Sequence, residues 1–321
     1  MPLPSISDQH IDAYLTGLSV GFSQAETNFV ADQAFPNVAS QKKSDKLATY
    51  SRADLYRSSM ELRAPGAESA GGGYRVSRDS FLIDVFALHQ DVDDQTVAGA
   101  DNPYAPVEDA TRFLVQQEKL KKEVTFATDF FASSKWTGGT SADPTAASLS
   151  AAWDDPSSTP IEDLTEQGNS VLVKTGFLPN TLVVNYLGWT ALKNHPDVVD
   201  RVKYTTSEPV TTQNVANLIG VDKVLVSKAT RNTAAEGLAA SYSSILGNSA
   251  LLVYSASSPG LYQPSGGYTF TWAGYPGSAD GRRIKRFYLD ANSAWRIEIE
   301  SAFDLKLIDA DLGVFITSVA S

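Results

Sequence analysis

The 321-residue chain has 26 Lys and Arg side chains against 37 Asp and Glu, and this net charge of −11 gives the molecule as a whole no basic footprint for nucleic acid. It contains no cysteine, which excludes disulfides and thiolate metal sites. Hydrophobic residues make up 42% of a chain long enough to bury a sizeable core, yet no apolar run approaches the about 20 residues of a membrane span.

The first 40 residues are predicted to form an apolar arm. Ser7 and Asp8 can cap a short helix there. The apolar positions of that helix are Ile11, Tyr14, Leu15 and Leu18. Aromatic residues follow without periodicity as far as Pro36. A segment this apolar must lie against another surface. The sequence leaves open whether that surface belongs to the same domain or to a neighbouring subunit.

Residues 41–94 are the most basic part of the chain and are predicted to form an extended hairpin. Gly71–Gly73 favour a turn, since no GK[ST] follows them as a phosphate-binding loop requires. Residues 81–88 alternate as a strand does. A lone hairpin is only marginally stable in water, so we expect it to rest on another subunit. The basic residues that we expect to contact that subunit are Lys42, Lys43, Lys46, Arg52, Arg57, Arg63, Arg75 and Arg78.

The longest predicted helix runs from Pro106 to Phe131. Proline suits the first turn of a helix, and the acidic residues that follow it face the positive end of the helix dipole. Positions at three- and four-residue spacing form the apolar stripe: Val107, Ala110, Leu114, Gln117, Leu120, Val124, Ala127 and Phe131. The polar side is predicted to carry Lys119, Lys121, Lys122 and Glu123.

A polar linker, residues 133–160, leads into a second helix. Trp136 and Trp153 are predicted to anchor the linker by packing. The helix begins with a capping-box pattern, in which Thr159 is the cap and Glu162 follows three residues later, and Gly176 can end it.

The rest of the chain predicts short helices among strands. Thr181–Val184 is a buried-strand run, Asn185 can cap the helix after it, and Pro196 ends that helix and can begin the next. Thr211 or Thr212 can cap a further helix that ends at Gly220. The remaining strand signals are Val224–Val226, Leu251–Tyr254, Tyr268–Trp272, Ile284–Leu289, Trp295–Ile299, Leu305–Ile308 and Val314–Val319. This order of elements indicates an α+β fold.

The sequence offers no convincing catalytic constellation. Its three histidines lack metal-ligand spacing, and His195, just before Pro196, is interpreted as a helix-boundary residue. The acidic pairs Asp93–Asp94, Asp154–Asp155 and Asp309/Asp311 could bind cations or act as acid–base groups, but such pairs are common on acidic surfaces. We therefore predict that the protein is not an enzyme, and assign no catalytic residue, cofactor or metal ligand.

Several stretches, in order along the chain, resemble the major capsid proteins of tailed bacteriophages. They are LPNTLVVNYLGWTALKNHPDVVDRVKY from Leu178, GVDKVLV from Gly220, GNSALLVY from Gly247 and YTFTW from Tyr268. The resemblance covers residues 178–272 and implies the Hong Kong 97-like fold of that family. It further implies an N-terminal arm at 1–40, an extended hairpin at 41–94 and an axial domain at 160–290. A peripheral domain would comprise 95–159 and 291–321, with the spine helix at 106–131.

The resemblance also implies the function. Copies would form pentamers and hexamers of an icosahedral phage head enclosing double-stranded DNA, assembled in the host bacterial cytoplasm and found in the virion. The expected partners are other copies and scaffolding, portal and decoration proteins, with DNA contacted weakly and without sequence specificity and no membrane involved. One alternative is an encapsulin-like compartment shell. Another is a soluble hydrolase or carbohydrate-binding protein with a platform built from Trp136, Trp153, Trp189, Trp272 and Trp295.

Overall fold

The computed structural model describes residues 23–100, 105–140, 151–203, 210–260, 262–278 and 280–320. The helix predicted around residues 7–18 lies outside this part of the chain. Within it, the strands form a five-stranded sheet, a four-stranded sheet and two separate two-stranded sheets.

The helices of the described residues surround these sheets. They are α1 (Ala31–Ala34), α2 (Arg52–Leu55), α3 (Asp94–Ala98), α4 (Pro106–Phe130), α5 (Pro160–Thr175), α6 (Tyr186–Asn194), α7 (Pro196–Lys203) and α8 (Thr212–Ile219). The strands are β1 (Asn37–Ser40), β2 (Ser44–Tyr50), β3 (Val76–Leu82), β4 (Asp84–Asp93), β5 (Thr181–Asn185), β6 (Lys223–Ser227), β7 (Thr230–Asn232), β8 (Tyr242–Ser244), β9 (Ser249–Val253), β10 (Gly267–Trp272), β11 (Arg282–Leu289), β12 (Ala294–Leu307) and β13 (Gly313–Thr317).

Local chemistry at the helix ends explains where several helices begin and end. The Asn185 side chain accepts a hydrogen bond from the amide three residues on at 2.7 Å, and Thr211 does the same at 3.2 Å. Gly176 ends α5 with a φ of 77°, a left-handed conformation that disfavours any side chain. The predicted capping box at Thr159 is wrong, because Thr159 occupies the N-cap of α5 without a side-chain capping hydrogen bond.

The four-stranded sheet has the order β13-β9-β5-β6 and forms one core with the short helices. β5 runs parallel to β6 and antiparallel to β9, and all five of its residues are buried. The side chains of Leu182 and Val184 pack with Leu192 of α6 and Val215 of α8. The strand–helix–helix unit predicted at residues 178–204 is therefore the centre of this core.

The five-stranded sheet is built around β12, a strand of 14 residues. β11 pairs antiparallel with β12, and so does β4, while β10 pairs with the end of β12 and with β1. Strand pairing crosses residue 290 in both directions, since β10 and β11 pair with β12, and β13 pairs with β9. The two sheets thus exchange strands across the boundary that the resemblance implied.

The spine helix α4 begins at the predicted Pro106 and ends at Phe130, one residue earlier than expected. The first part of its predicted stripe is buried at Ala110 and Leu114. Towards its end the helix instead buries Glu123, Phe126 and Phe130 completely. The prediction that Glu123 lies on the polar side is wrong, because residues 29–35 cover this face of the helix.

Candidate assembly surfaces

The segment 23–40 packs into its own subunit through the Glu123 carboxylate of α4. Glu123 Oε2 accepts hydrogen bonds from the amides of Val30 at 3.0 Å and Ala31 at 2.9 Å, at the first turn of α1. Its other oxygen accepts from the Ser227 hydroxyl at the end of β6, at 3.0 Å. One buried side chain therefore joins the N-terminal segment, the spine helix and the four-stranded sheet.

Burial determines the electrostatics of this junction. Removal from water raises the pKa of Glu123, and the hydrogen bonds from Ala31, Ser227 and Val30 oppose that rise. The negative charge of nearby Asp32 adds to the increase. The three donors stabilise the carboxylate but do not fully replace water.

Further contacts fix the same segment on the same chain. Lys119 and Lys122 of α4 form ion pairs with Glu26 and Asp32. Phe35 packs against Phe126 and Phe130, with ring centroids 6.2 and 4.6 Å apart. For residues 23–40, the alternative left open by the sequence is thus decided in favour of packing on the same subunit. Residues 1–22 lie outside the described part.

The basic hairpin consists of β2 and β3, paired antiparallel from Ser44 opposite Leu82 to Tyr50 opposite Val76. The predicted strand at 81–88 is divided, because β4 leaves the hairpin at Asp84 and pairs with β12. Beyond the strands, α2 and a long loop form the tip, and each residue from 56 to 80 is exposed. We call residues 44–82 the hairpin.

The basic side chains of residues 42–78 either have a partner in their own chain or are exposed without an ion pair. Arg52 contacts its own subunit through Asp311, at 3.0 Å, and Asp309. Lys42 pairs with Asp45, Arg75 pairs with Asp54, and the Arg63 side chain donates to the Ala67 carbonyl, all within the basic segment. The rest are exposed and make no ion pair with any described residue: Lys43, Lys46, Arg57 and Arg78.

The tip of the hairpin exposes large apolar side chains. The exposed fractions of Met60 and Leu62 are 96% and 102%. Behind the tip, an open groove of about 450 Å³ separates the hairpin from the body of its own subunit. Residues lining the groove include Leu47, Tyr50, Leu55, Phe177, Tyr268 and Leu312. Neither the apolar tip nor the groove was identified by the sequence, because both depend on which surfaces the chain itself covers.

A second buried carboxylate, Glu300, lies on β12 where that strand pairs with β11. Its neighbour across the strands is Arg283, with which it forms an ion pair, and Lys285 donates to it at 2.8 Å. The Tyr275 hydroxyl also donates to it, at 2.8 Å. The Arg283 hydrogen bond is the largest cause that lowers the pKa of Glu300 to about 2. This cluster holds an edge strand, β11, to the sheet.

The side chains considered for catalysis have structural partners. The imidazole of His195 is buried, and its Nδ1 accepts from the Asp197 amide at 3.2 Å, which agrees with a helix-boundary role. Asp93 caps α3 through the Thr96 amide at 2.9 Å. No three His, Cys, Asp or Glu side chains of the described residues come together as metal ligands would. Within the same residues, no helix is long and apolar enough to cross a membrane.

The tryptophans do not form the platform that a carbohydrate-binding protein would need. Trp136, Trp153 and Trp189 are 3%, 0% and 7% exposed, so no sugar can stack on them. Trp136 instead packs over Gly313 and donates to the Phe130 carbonyl at 2.7 Å. The carbohydrate-platform alternative is therefore wrong.

Comparisons with known proteins bear on the fold of the chain. No protein-family model matches the sequence. The major capsid protein of Burkholderia phage BcepMu is 25% identical over 277 residues, which cover 83% of this chain and 85% of that protein. A phage-related protein from Bordetella bronchiseptica RB50 has a TM-score of 0.67 at 20% identity, over 92% of this chain and 94% of that one. The capsid structure of cyanophage P-SCSP1u gives 0.62 at 11% identity, over 98% and 95%.

The sequence is thus similar to a phage major capsid protein, and solved structures that share its fold include phage capsids. The predicted Hong Kong 97-like α+β fold is confirmed. The holo-SrpI encapsulin complex of Synechococcus elongatus PCC 7942 also matches, with a TM-score of 0.52 at 10% identity over 99% of this chain and 96% of that one. Phage heads and encapsulin shells therefore share this fold.

Proposed function

We propose that this capsid protein assembles in many copies into pentamers and hexamers, which tile an icosahedral phage head around double-stranded DNA. The observation that carries the proposal is the hairpin tip, where Met60 and Leu62 are fully exposed. Large apolar side chains at the end of a hairpin favour burial against another surface. A closed ring requires two different, complementary surfaces on each subunit. The hairpin tip supplies one, and the body of the next copy supplies the other.

The basic side chains give this contact its register. We propose Lys43, Lys46, Arg57 and Arg78 as the intersubunit cations, because they are exposed and have no ionic partner among the described residues. A neighbouring copy of a chain with net charge −11 offers acidic partners. Rim charges of this kind fix orientation and association rate more than affinity. The remaining cations of the segment lie within reach of the same neighbour: Lys42, Arg52, Arg63 and Arg75.

The wider assembly follows from the same proposal. The four-stranded sheet with α5–α8 would lie around the ring axis, and the five-stranded sheet with α4 would lie at the periphery. Scaffolding, portal and decoration proteins would be the other partners, with assembly in the host bacterial cytoplasm. DNA would be contacted weakly and without sequence specificity, because the acidic wall repels phosphate.

The second candidate is an encapsulin-like shell, favoured by the likeness to the Synechococcus complex. The experiment that separates the candidates expresses the capsid protein alone and with its neighbouring gene products. Negative-stain microscopy and analytical ultracentrifugation then detect rings or shells. Shells that package DNA support the phage head, whereas shells that capture an enzyme through a terminal peptide support the encapsulin. A chain that stays monomeric at high concentration with all these gene products contradicts both.

A further inference from the structure

At its base, the hairpin packs on its own subunit through Phe81, whose ring lies 4.2 Å from that of Phe270, and through Asp79, which pairs with Lys306 at 3.0 Å. Nearer the tip, three further side chains contact the same subunit. The Arg52 guanidinium forms ion pairs with Asp309 and Asp311, and donates to the Lys174 carbonyl at 3.2 Å. The Tyr56 hydroxyl donates to the Thr175 carbonyl at 2.5 Å. The ring of Tyr50 lies 5.4 Å from the ring of Tyr262.

The receiving groups are held rigidly by the core. Asp309 caps the 3-10 turn Ala310–Leu312 that precedes β13, and Asp311 lies within that turn. Leu312, which is 1% exposed, anchors the turn in the core. Asp311 also accepts from the Thr137 hydroxyl at 2.5 Å. Thr175 is the last residue of α5 and is itself buried. The body therefore presents a preformed seat to the hairpin.

Little apolar packing supports these polar contacts. The groove of about 450 Å³ lies between the hairpin and the body and leaves part of its apolar lining unpacked. The residues beyond Tyr56 are exposed as far as position 80. Because a few polar groups carry the contact near the tip, that part of the hairpin can separate from its seat while Phe81, at the base, stays packed in the core.

We propose that the contacts of Arg52 with Asp309 and Asp311 form a latch, which holds the hairpin on its own subunit before assembly and releases it to a neighbour during assembly. This inference deepens the proposed function and rests on it. We call these contacts the Arg52 latch. In the free subunit, Arg52 then forms ion pairs within its own chain, and in the shell it becomes available to pair with another copy.

The latch is tested first on the free subunit by hydrogen exchange. Charge-assisted hydrogen bonds at this exposure predict that Arg52→Ala makes the amides of β2 and β3 exchange about fivefold to tenfold faster. Arg57→Ala, which removes an exposed cation of the same hairpin, leaves exchange unchanged. Arg52→Lys retains the charge and reaches one carboxylate, so its exchange rate should lie between those of Arg52→Ala and Arg57→Ala. Equal exchange in wild type, Arg52→Ala and Arg57→Ala overturns the latch.

A salt titration on the unaltered chain covers the case in which Arg52→Ala fails to fold. Salt screens the partly exposed ion pairs, so exchange of β2 and β3 rises with salt while exchange of β5 and β9 stays constant. Exchange of the hairpin that does not respond to salt contradicts the latch.

Release is tested with cysteines, since the natural chain has none. Tyr50→Cys with Tyr262→Cys, joined by a short cleavable thiol cross-linker, locks the hairpin to its seat. Thr49→Cys with Ser77→Cys joins facing positions of the two hairpin strands and leaves the hairpin able to lift. The locked protein stays below shell size until the linker is cleaved, whereas the control assembles. Assembly of the locked protein at the rate of the control overturns release. If wild type forms no shell, the proposed function fails, and hydrogen exchange still decides whether the latch exists.

Discussion

Two consecutive stretches of the chain, residues 23–40 and the hairpin, differ sharply in what covers them. In the first, Val30 and Ala34 are 2% and 0% exposed, and the spine helix and the four-stranded sheet close over them. In the second, Met60 and Leu62 are exposed almost as in an unfolded chain. The first stretch therefore stabilises the subunit. The second offers a surface that only another molecule can bury.

Because the two stretches differ in burial, they are tested by different measurements: subunit unfolding for residues 23–40 and subunit association for the hairpin. Changes at residues that contact 23–40 alter the free energy of unfolding of a single subunit. Changes at the hairpin tip leave that free energy almost untouched and alter association instead. Substitutions at residues that contact 23–40 should therefore destabilise the subunit most, and substitutions at the hairpin tip should destabilise it least.

The largest effect on stability is expected at Glu123. Glu123→Ala leaves the buried amides of Val30 and Ala31 without an acceptor and removes one of the two acceptors of the Ser227 hydroxyl. Each unsatisfied buried donor costs about 1–3 kcal/mol, so we expect a loss of about 3 kcal/mol. The measurement is urea unfolding of the free subunit, followed by circular dichroism.

The control is Glu108→Ala on the same helix, because the Glu108 side chain is 71% exposed and 3.8 Å from Arg112. A surface substitution of this kind changes stability by about 0.5 kcal/mol or less. If the two alanine variants unfold at the same urea concentration, Glu123 does not hold the N-terminal segment in place, and residues 23–40 do not stabilise the subunit through it.

The next effect is a pH dependence in which Glu123 and Glu300 act with opposite signs. The pKa of Glu300 falls from 4.5 to about 2, so its contribution to stability is present above 4.5 and is lost as pH falls towards 2. The pKa of Glu123 is raised, so its contribution is greatest in acid and declines as pH rises through the folded pKa.

Glu300→Gln should therefore flatten the acid side of the stability curve, measured as the urea midpoint between pH 4.5 and about 2. Glu298→Gln, two residues away on the same face of β12, keeps the acid-side loss of wild type. An unchanged slope in Glu300→Gln would mean that Arg283 and Lys285 do not stabilise the carboxylate of residue 300.

The sequence predicts the elements of this molecule better than their contacts. Asn185, Thr211, Gly176 and Pro106 mark helix ends through local chemistry, because a cap or a proline acts on its own backbone. The strand Thr181–Asn185 was recognisable from a local signal too, because Thr181–Val184 is a short run rich in β-branched residues. Sequence signals that involve only a few neighbouring residues therefore predict the observed elements correctly.

The assembly surfaces depend on distant residues, and here the sequence misleads. Glu123 follows two lysines and looks like a solvent-facing residue, yet its partners lie 92 and 104 positions away. Arg52 looks like one more exposed cation, and its partners lie 257 and 259 positions away. No periodicity encodes such pairs. Likewise, the single run from Phe81 to Leu88 cannot reveal that its residues divide between two sheets.

The smallest effect on stability, and the largest on assembly, is expected at the hairpin tip. Met60→Ser with Leu62→Ser removes side chains that touch almost nothing in the free subunit, so unfolding should shift by about 0.5 kcal/mol or less. Burying a Met or Leu side chain contributes about 1.5–3 kcal/mol, so each subunit contact in the shell should weaken about tenfold or more. Light scattering and electron microscopy give the protein concentration needed for shells.

The matched control, Ala64→Ser with Ala67→Ser, changes two residues of the same exposed loop without removing a large side chain, and it assembles as wild type does. Normal assembly of the Met60 and Leu62 variant would show that the tip is not the surface a neighbour covers, and would leave the groove and the exposed cations as the places to look.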